Sequence, residues 1–289
     1  MASGTPTNRT NIELPAEISS AVLQKTQEAS AIMQLAQEIS LPGNGAEIPV
    51  ITSDPAAEWV SETGNKPVAN PGLSKKIMTP YKLAVIVPFS NEFRRDAEVL
   101  YNALVQRLPN ALAAKFDATV IGGSAPGSNF DVLTSCQAQE IGTDAYKGFV
   151  AAMSDIGAAG GNLDGIILSP AAKAAVLGAT DTTKRPIFNA AGDGEVPTIL
   201  GAKTLTEKAA HVASVCDGVA GDWTQAMYGT VEGVKIDISD QATLTAGTQE
   251  NPVQINLFQQ NMFAVRAEIE VGFRADTDCF NLLTVTEES

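Results

Sequence analysis

The chain is poor in the residues on which most active-site chemistry depends: it has three cysteines and one histidine. Cys136, Cys216 and Cys279 are odd in number and far apart, which excludes a disulfide framework and a zinc pattern and fits assembly in a reducing cytosol. Any Ser-His-Asp or Cys-His mechanism would have to run through His211. No nucleophile motif lies near it, so it is assigned a structural role at the start of an expected strand, 211–216. No G-x-x-x-x-G-K-[ST] loop occurs, and the stretch Gly122–Gly127 lacks the basic, helical context that phosphate binding needs. Asp181, Asp193 and Asp222 fall in expected loops and read as solvated carboxylates, with a metal at a subunit junction the open alternative. No run of about 18 apolar residues exists, so no membrane span is expected. The first residues, MASGTPTNRTNIELP, lack the charged and apolar regions of a secretory signal. These absences lead to an expectation of no enzyme, no cofactor and no membrane.

What is present is charge, unevenly placed. The 289 residues are enough for one large or two ordinary domains, and their 44% apolar content is that of a globular protein. The net charge of −14 disfavours a reader of nucleic acid, which presents a basic face to phosphate. Residues 1–65 carry −6, residues 66–115 carry +5 and residues 116–289 carry −13. In a self-associating chain, the one basic block of a copy can seek the acidic blocks of another. The alternative is an ordinary solvated face.

Periodicity places the elements. Pro15–Ser40 reads as one helix, with Ile18, Val22, Ala29, Ile32, Ala36 and Ile39 on a stripe. Ile48–Glu62 and Lys75–Phe89 read as the arms of a long hairpin whose tip, Gly64–Gly72, is rich in turn-forming residues. In the second arm Ile77, Thr79, Tyr81, Leu83, Val85, Val87 and Phe89 share a face, while Pro80 and Pro88 suit an edge or a strand end. A projecting hairpin buries little of itself within its own subunit. Ser90 or Asn91 can cap a long helix in which Leu100, Leu104, Leu108, Leu112 and Phe116 form a ladder and Gly122-Gly123 the stop. Pro109 is expected to kink or split it. Helices at 143–160 and 170–177 flank a buried strand at 163–168. Further strands are expected at 198–200, 203–206, 225–230 and 235–239. Met262–Arg274 alternates most cleanly, with Phe263, Val265, Ala267, Ile269, Val271 and Phe273 on one face, and is expected to pack on the helix ladder.

This order of elements, and several short stretches, resemble the major capsid protein of tailed phages with its Hong Kong 97-type fold, an α+β fold that bacterial encapsulins share. The stretches are Ala57–Glu62, Ser90–Asp96, Phe116–Ala118 with Ile121–Gly123, Asp164–Pro170, Gly221–Ala226 and Asn256–Asn261. Each is weak alone, but the six occur in the family's order. The resemblance covers residues from about 46 to the C-terminus. It implies an N-terminal arm (1–46), an extended loop (47–89), a peripheral domain with its spine helix (90–142), an inserted axial domain (143–249) and the peripheral domain's return strands (250–289).

The function so implied is a shell protein that assembles as hexamers and pentamers into an icosahedral head around double-stranded DNA, without sequence-specific binding. Its location would be the virion, after assembly in the host cytoplasm. A portal or a scaffolding protein is an implied partner, and the short segment before Ile48 implies a separate scaffold or none. Maturation would re-angle the spine, with Pro109 a candidate bend. Trp59, Lys66, Lys75, Lys76, Arg94 and Arg95 are the candidate intersubunit contacts: an aromatic anchor, three lysines and two guanidinium groups suited to bidentate pairing. Some members of the family form an isopeptide bond from a loop lysine; Lys66 has the chemistry, with Lys75 and Lys76 as alternatives, and a salt-bridged surface lysine is the plainer reading. Two rival functions remain open at this point: an encapsulin-type nanocompartment shell and an oligomeric α/β enzyme.

Overall fold

Ser30 interrupts the first helical stretch. In the computed structural model, which describes residues 16–53, 59, 60, 66, 68, 72–92, 97–180, 183–188, 198–247 and 252–285, helix α1 (Ala16–Ala29) ends there and α2 (Ala31–Leu35) begins. The Ser30 side chain caps α2 by accepting a hydrogen bond from the Met33 N–H. The rest of the expected helix is a strand, β1 (Gln37–Ser40). Its backbone groups pair with a neighbouring strand in the sheet, which outweighs a helical periodicity carried there by Ile39 alone.

The expected hairpin forms from β2 (Ala46–Ser53) and β3 (Gly72–Met78), antiparallel from the pair Ala46–Met78 outward. The remainder of the first arm and most of the tip lie outside the described residues. The second arm is not one strand. It breaks at Thr79-Pro80, and β4 (Tyr81–Ser90) then enters a different sheet. The proline has no N–H to carry the ladder across. Pro88 lies in β4, which is that sheet's edge, where a missing donor is tolerated.

The long helix α3 (Ala97–Gly122) runs through Pro109 without a break in its assignment, so the expected split is absent. The flanking Leu108 and Leu112 are fully buried, and their packing outweighs the one lost backbone bond. Asn91 does not cap α3. Its N–H and its side-chain amide donate to Asn261, closing the end of β4. Residues 93–96 lie outside the description.

The chain then forms β5 (Gln137–Glu140), α4 (Ala145–Ala158), β6 (Gly165–Leu168), α5 (Pro170–Gly178), β7 (Thr198–Ile199), β8 (Ala202–Thr206) and β9 (Gly218–Gly221). No strand occupies 211–216, where a tight turn is closed by the Val212–Cys216 bridge. The two strands expected at 225–239 are one, β10 (Ala226–Ser239), with a bulge between Thr230 and Val234 that uses Gly233 at φ +73°. β11 (Thr243–Gly247) and β12 (Pro252–Asn256) form a small hairpin, followed by β13 (Met262–Ala275) and β14 (Phe280–Thr284).

Two larger sheets result, a four-stranded one in the order β1-β10-β13-β4 and a six-stranded one in the order β5-β14-β9-β6-β8-β7. Sheet membership cuts the chain differently from the sequence segments: β10, inside 143–249, joins the first sheet, and β14, inside 250–289, joins the second. On the first sheet, Phe263, Val265, Ala267 and Ile269 of β13 meet Leu108 and Leu112 of α3 and Val22 of α1, as the alternation of β13 and the helix ladder predict. The second sheet is buried on both faces. Ile166, Leu168 and Leu283 pack under Phe149, Ile156 and Val176 of the helices, while Ile167, Val219 and Leu282 face the last turns of α3. That second core, with Phe116, Phe130, Phe273, Trp223 and Phe280, joins the two sheets.

Candidate functional site

Among the described residues the hairpin is fastened at its root. Met78, at the base of β3, is fully buried and lies over Gly272 of β13 and Gly229 of β10. A Cβ on Gly272 would fall 2.7 Å from the Met78 Cγ, so the glycine is the socket. Gly45 turns the chain into β2 at φ +86°, and a Cβ there would lie 2.6 Å from the Met78 carbonyl oxygen.

Around this plug runs a polar network drawn from three separated segments. Arg274 is only 12% exposed; its Nε donates to the Ile77 carbonyl at 2.7 Å, Nη1 to Asp131 at 2.6 Å and Nη2 to Asn129 at 3.1 Å. Asp131 also accepts the Ala275 N–H at 3.2 Å. Asn129 donates from its side chain to the Thr79 hydroxyl and from its backbone to the Tyr81 hydroxyl. Lys76 donates to the Ala275 carbonyl at 2.9 Å, with its ammonium 4.0 Å from Asp131. The guanidinium reaches these three acceptors from three different nitrogens of one plane, a spread that the single ammonium nitrogen of a lysine does not have.

A second fastening joins the N-terminal helices to the spine. Asp117 on α3 is completely buried, and its carboxyl accepts the Ser30 hydroxyl at 2.5 Å and the Ala31 N–H at 2.9 Å. Burial pushes its pKa up from 3.8 to about 7, and Glu207 adds to the rise, against the lowering effect of the Ser30 hydroxyl and the Ala31 and Ile32 N–H groups.

The sequence-chosen contacts separate accordingly. Trp59 is fully exposed and Lys66 is exposed, both on the hairpin beyond its described strands. Lys75 pairs with Glu47 across the hairpin, and Lys76 with the body of its own chain. Arg94 and Arg95 lie outside the described residues. The structure thus draws Lys76 into the hairpin root and leaves Trp59 and Lys66 exposed among the described residues. Arg274, Asp131, Asn129 and Met78 were not singled out by sequence. The only local signals for them were a charged residue at the end of the alternating strand and glycines inside two strands.

His211 sits at the surface, its Nδ1 2.7 Å from Asp217, whose other oxygen accepts the Val285 N–H. Asp222, read from sequence as solvated, is instead buried in a turn, where it accepts the N–H groups of Asn162 and Thr224, whereas Asp181 and Asp193 lie outside the described residues. Among the described residues no group of three His, Cys, Asp or Glu is placed to hold a metal, and no helix is long and apolar enough to cross a membrane. The surface carries instead large apolar side chains in scattered places: Ile77 and Ile86 near the hairpin, Val253 and Phe258 around the small β11–β12 hairpin.

Residues 11–278 match the phage capsid family. The chain belongs to that family. It is 30% identical to the probable major capsid protein of Mycobacterium phage L5 over 278 residues, 90% of this chain and 85% of that one. It is 23% identical to the major capsid protein of Staphylococcus phage 80alpha, over 94% of this chain and 85% of that one. Among solved structures, one from Mycobacterium phage Adephagia superposes with a TM-score of 0.71 at 20% identity, covering 90% of this chain and 91% of the other. The capsid of an empty GTA particle superposes at 0.64 and 15% identity, over 89% and 90%. The phage capsid protein therefore has the Hong Kong 97-type fold, and its role is that of a major capsid protein of tailed phages, a structural component of the virion. Proteins of this family build multimeric shells. Neither the nanocompartment nor the enzyme reading is favoured by these relatives.

Proposed function

We propose that this capsid protein closes into an icosahedral head of hexamers and pentamers around double-stranded DNA, assembled in the cytoplasm of a bacterial host. One observation carries the reading. The β2–β3 hairpin is a sheet of its own, paired among the described residues with no strand of the larger sheets and fastened only at its root. An isolated two-stranded hairpin is marginal in water and needs a surface to cover it. Neighbouring copies supply that surface, and Trp59, Lys66, Arg94 and Arg95 are the proposed contacts. Lys75 and Lys76 act there through the shape of the hairpin they brace.

The remaining assignments follow from this one. Residues 1–46 serve as arm and 47–89 as extended loop. The four-stranded sheet with α3 forms the peripheral body, and the six-stranded sheet with α4 and α5 the axial body. Acidic surface, at −14 overall, lets the lining of the shell hold packed DNA without gripping it. A portal or a scaffolding protein completes the assembly, and no catalytic step is required of the chain. Electron microscopy and light scattering of the purified protein test the proposal. Closed shells of uniform size are expected; a compact monomer at every concentration and salt would overturn it.

A further inference from the structure

The two tryptophans of the chain are opposites. Trp223 is buried between the sheets and donates its indole N–H to the Gly165 carbonyl at 3.0 Å. Trp59 is fully exposed, with no packing neighbour among the described residues. A side chain able to bury 150–250 Å² of surface is rarely left wholly in water. In sequence it is flanked by Glu58 and Glu62.

The described surface holds one cleft whose chemistry is complementary. It lies between α3, the start of β4 and the loop after α3, with a volume of about 250 Å³. Tyr81, Leu83, Phe116 and Phe130 give it an apolar and aromatic wall, and Lys82 and Lys115 stand at its rim. That volume falls below the roughly 300–1,000 Å³ usual for a small-molecule pocket and is on the scale of a single large side chain. The cleft opens beside β4, whose outer edge pairs with no strand among the described residues, so an extended segment can lie along it. Lys115 has no ion pair among the described residues, and Lys82 has only an exposed one with Glu270 at 3.3 Å.

We propose that Trp59 of one copy seats in the Tyr81–Phe116–Phe130 cleft of the adjacent copy, whose Lys82 and Lys115 suit an arm that is acidic in sequence. The inference rests on the shell reading and names its contact. Apolar complementarity anchors the hairpin, and the ammonium groups of Lys82 and Lys115 favour an arm that carries Asp54, Glu58 and Glu62 in its sequence. Arg107 and Lys115 on the spine, with Lys82 on β4, make the receiving surface positive for a hairpin whose first arm is acidic.

Trp59 reports on itself, because Trp223 is buried before and after assembly. On assembly of the unmodified protein, the emission of Trp59 is expected to shift to the blue and its quenching by acrylamide to be lost. Particles in which Trp59 stays fully quenchable would overturn the proposal. The partner is identified by oxidising particles of the double variant Trp59→Cys, Thr119→Cys. A ladder of detergent-resistant multimers is expected, absent from either single variant and from the dispersed double variant. Intact particles with no ladder, or a single-chain product closed by an internal bond, would overturn the assignment while leaving the shell itself standing. An unmodified chain that forms no particles would remove both readings. Trp59→Ala is expected to raise the concentration needed for assembly by about tenfold or more, with Trp59→Phe recovering most of that loss.

Discussion

Met78 occupies the space that Gly272 leaves beside it, and the pair decides whether the hairpin has a root. The Met78 side chain is fully buried, and a Cβ on Gly272 would crowd both its Cγ at 2.7 Å and the Thr79 carbonyl oxygen at 3.0 Å. Met78→Ala is expected to destabilise the dispersed subunit by about 2–4 kcal/mol, through lost transfer energy and the cavity left behind. Gly272→Ala attacks the same contact by overpacking and is expected to cost about 1–3 kcal/mol. Urea unfolding of each variant checks both values. If the two together cost much less than their sum, they act on one contact.

The polar network is a separate support. Arg274→Lys keeps the charge but replaces a fork serving Ile77, Asp131 and Asn129 with one flexible ammonium. A loss of about 1–3 kcal/mol is expected, as for hydrogen bonds to a charged group. It should show as faster proteolysis between residues 46 and 78 in the dispersed subunit, with the six-stranded sheet still resistant. Equal cleavage throughout the chain would mean that Arg274 supports the whole fold and not the hairpin alone.

Much of this architecture was legible in sequence where an element carries its own periodicity. The helix ladder through Leu108, Leu112 and Phe116 and the alternation of Phe263 to Phe273 each identify a buried face without outside help. Elements that owe their state to a partner were not legible. Gln37–Ser40 continues a helical stripe through Ile39 yet pairs in parallel with β10. Gly218–Gly221 has neither alternation nor bulky residues, and is a strand because β6 and β14 lie on either side of it. Phe280–Thr284 is too short to show a period and forms the strand between β5 and β9. The site divided in the same way. The exposed hairpin residues stood out by type, whereas Arg274 and Asp131 are 143 positions apart and nothing local announces that they meet.

Asp117 ties stability to pH in the direction opposite to an ordinary salt-bridged carboxylate. Its folded-state pKa is raised, from 3.8 to about 7, so well below pH 3.8 the group is protonated in both states and imposes no cost. As pH rises toward 7 the unfolded chain ionises while the buried carboxyl does not, and its contribution to stability is lost; above about 7 the loss levels off. The full span is about 4 kcal/mol on the usual conversion, an upper figure. Asp117→Asn keeps an oxygen for the Ala31 N–H and a donor for Ser30 without the ionisation. The stability of the variant relative to the unmodified protein should therefore rise between pH 5 and pH 8. Parallel pH profiles would show that Asp117 does not titrate in this range.

The cysteines should be silent in the folded protein. Burial pushes the thiol of Cys136 up to about 12 and that of Cys216 up to about 11, and it raises Cys279 as well. At pH 8 their thiolate fractions fall well below that of a free thiol, and labelling by a thiol reagent is expected to be about a hundredfold slower or more than in urea. Rapid labelling of Cys216 under native conditions would mean that the turn closed by the Val212–Cys216 bridge opens readily.

Lys66 and Lys76 look alike in sequence but differ in what holds them, and one pair of variants separates the roles. The Lys76 ammonium is committed to the Ala275 carbonyl at 2.9 Å, whereas Lys66 is exposed. Lys76→Ala is expected to loosen the hairpin root in the isolated subunit by about 0.5–1.5 kcal/mol, the usual net value of one hydrogen bond. Lys66→Ala should leave the subunit's unfolding curve unchanged within about 0.5 kcal/mol, as for a solvated surface position, and act only on assembly. Denaturing electrophoresis of particles carries the argument one step further. A lone monomer band removes the lysine crosslink and leaves Lys66 a charge at an interface, whereas multimers that vanish in Lys66→Ala would make it the covalent partner.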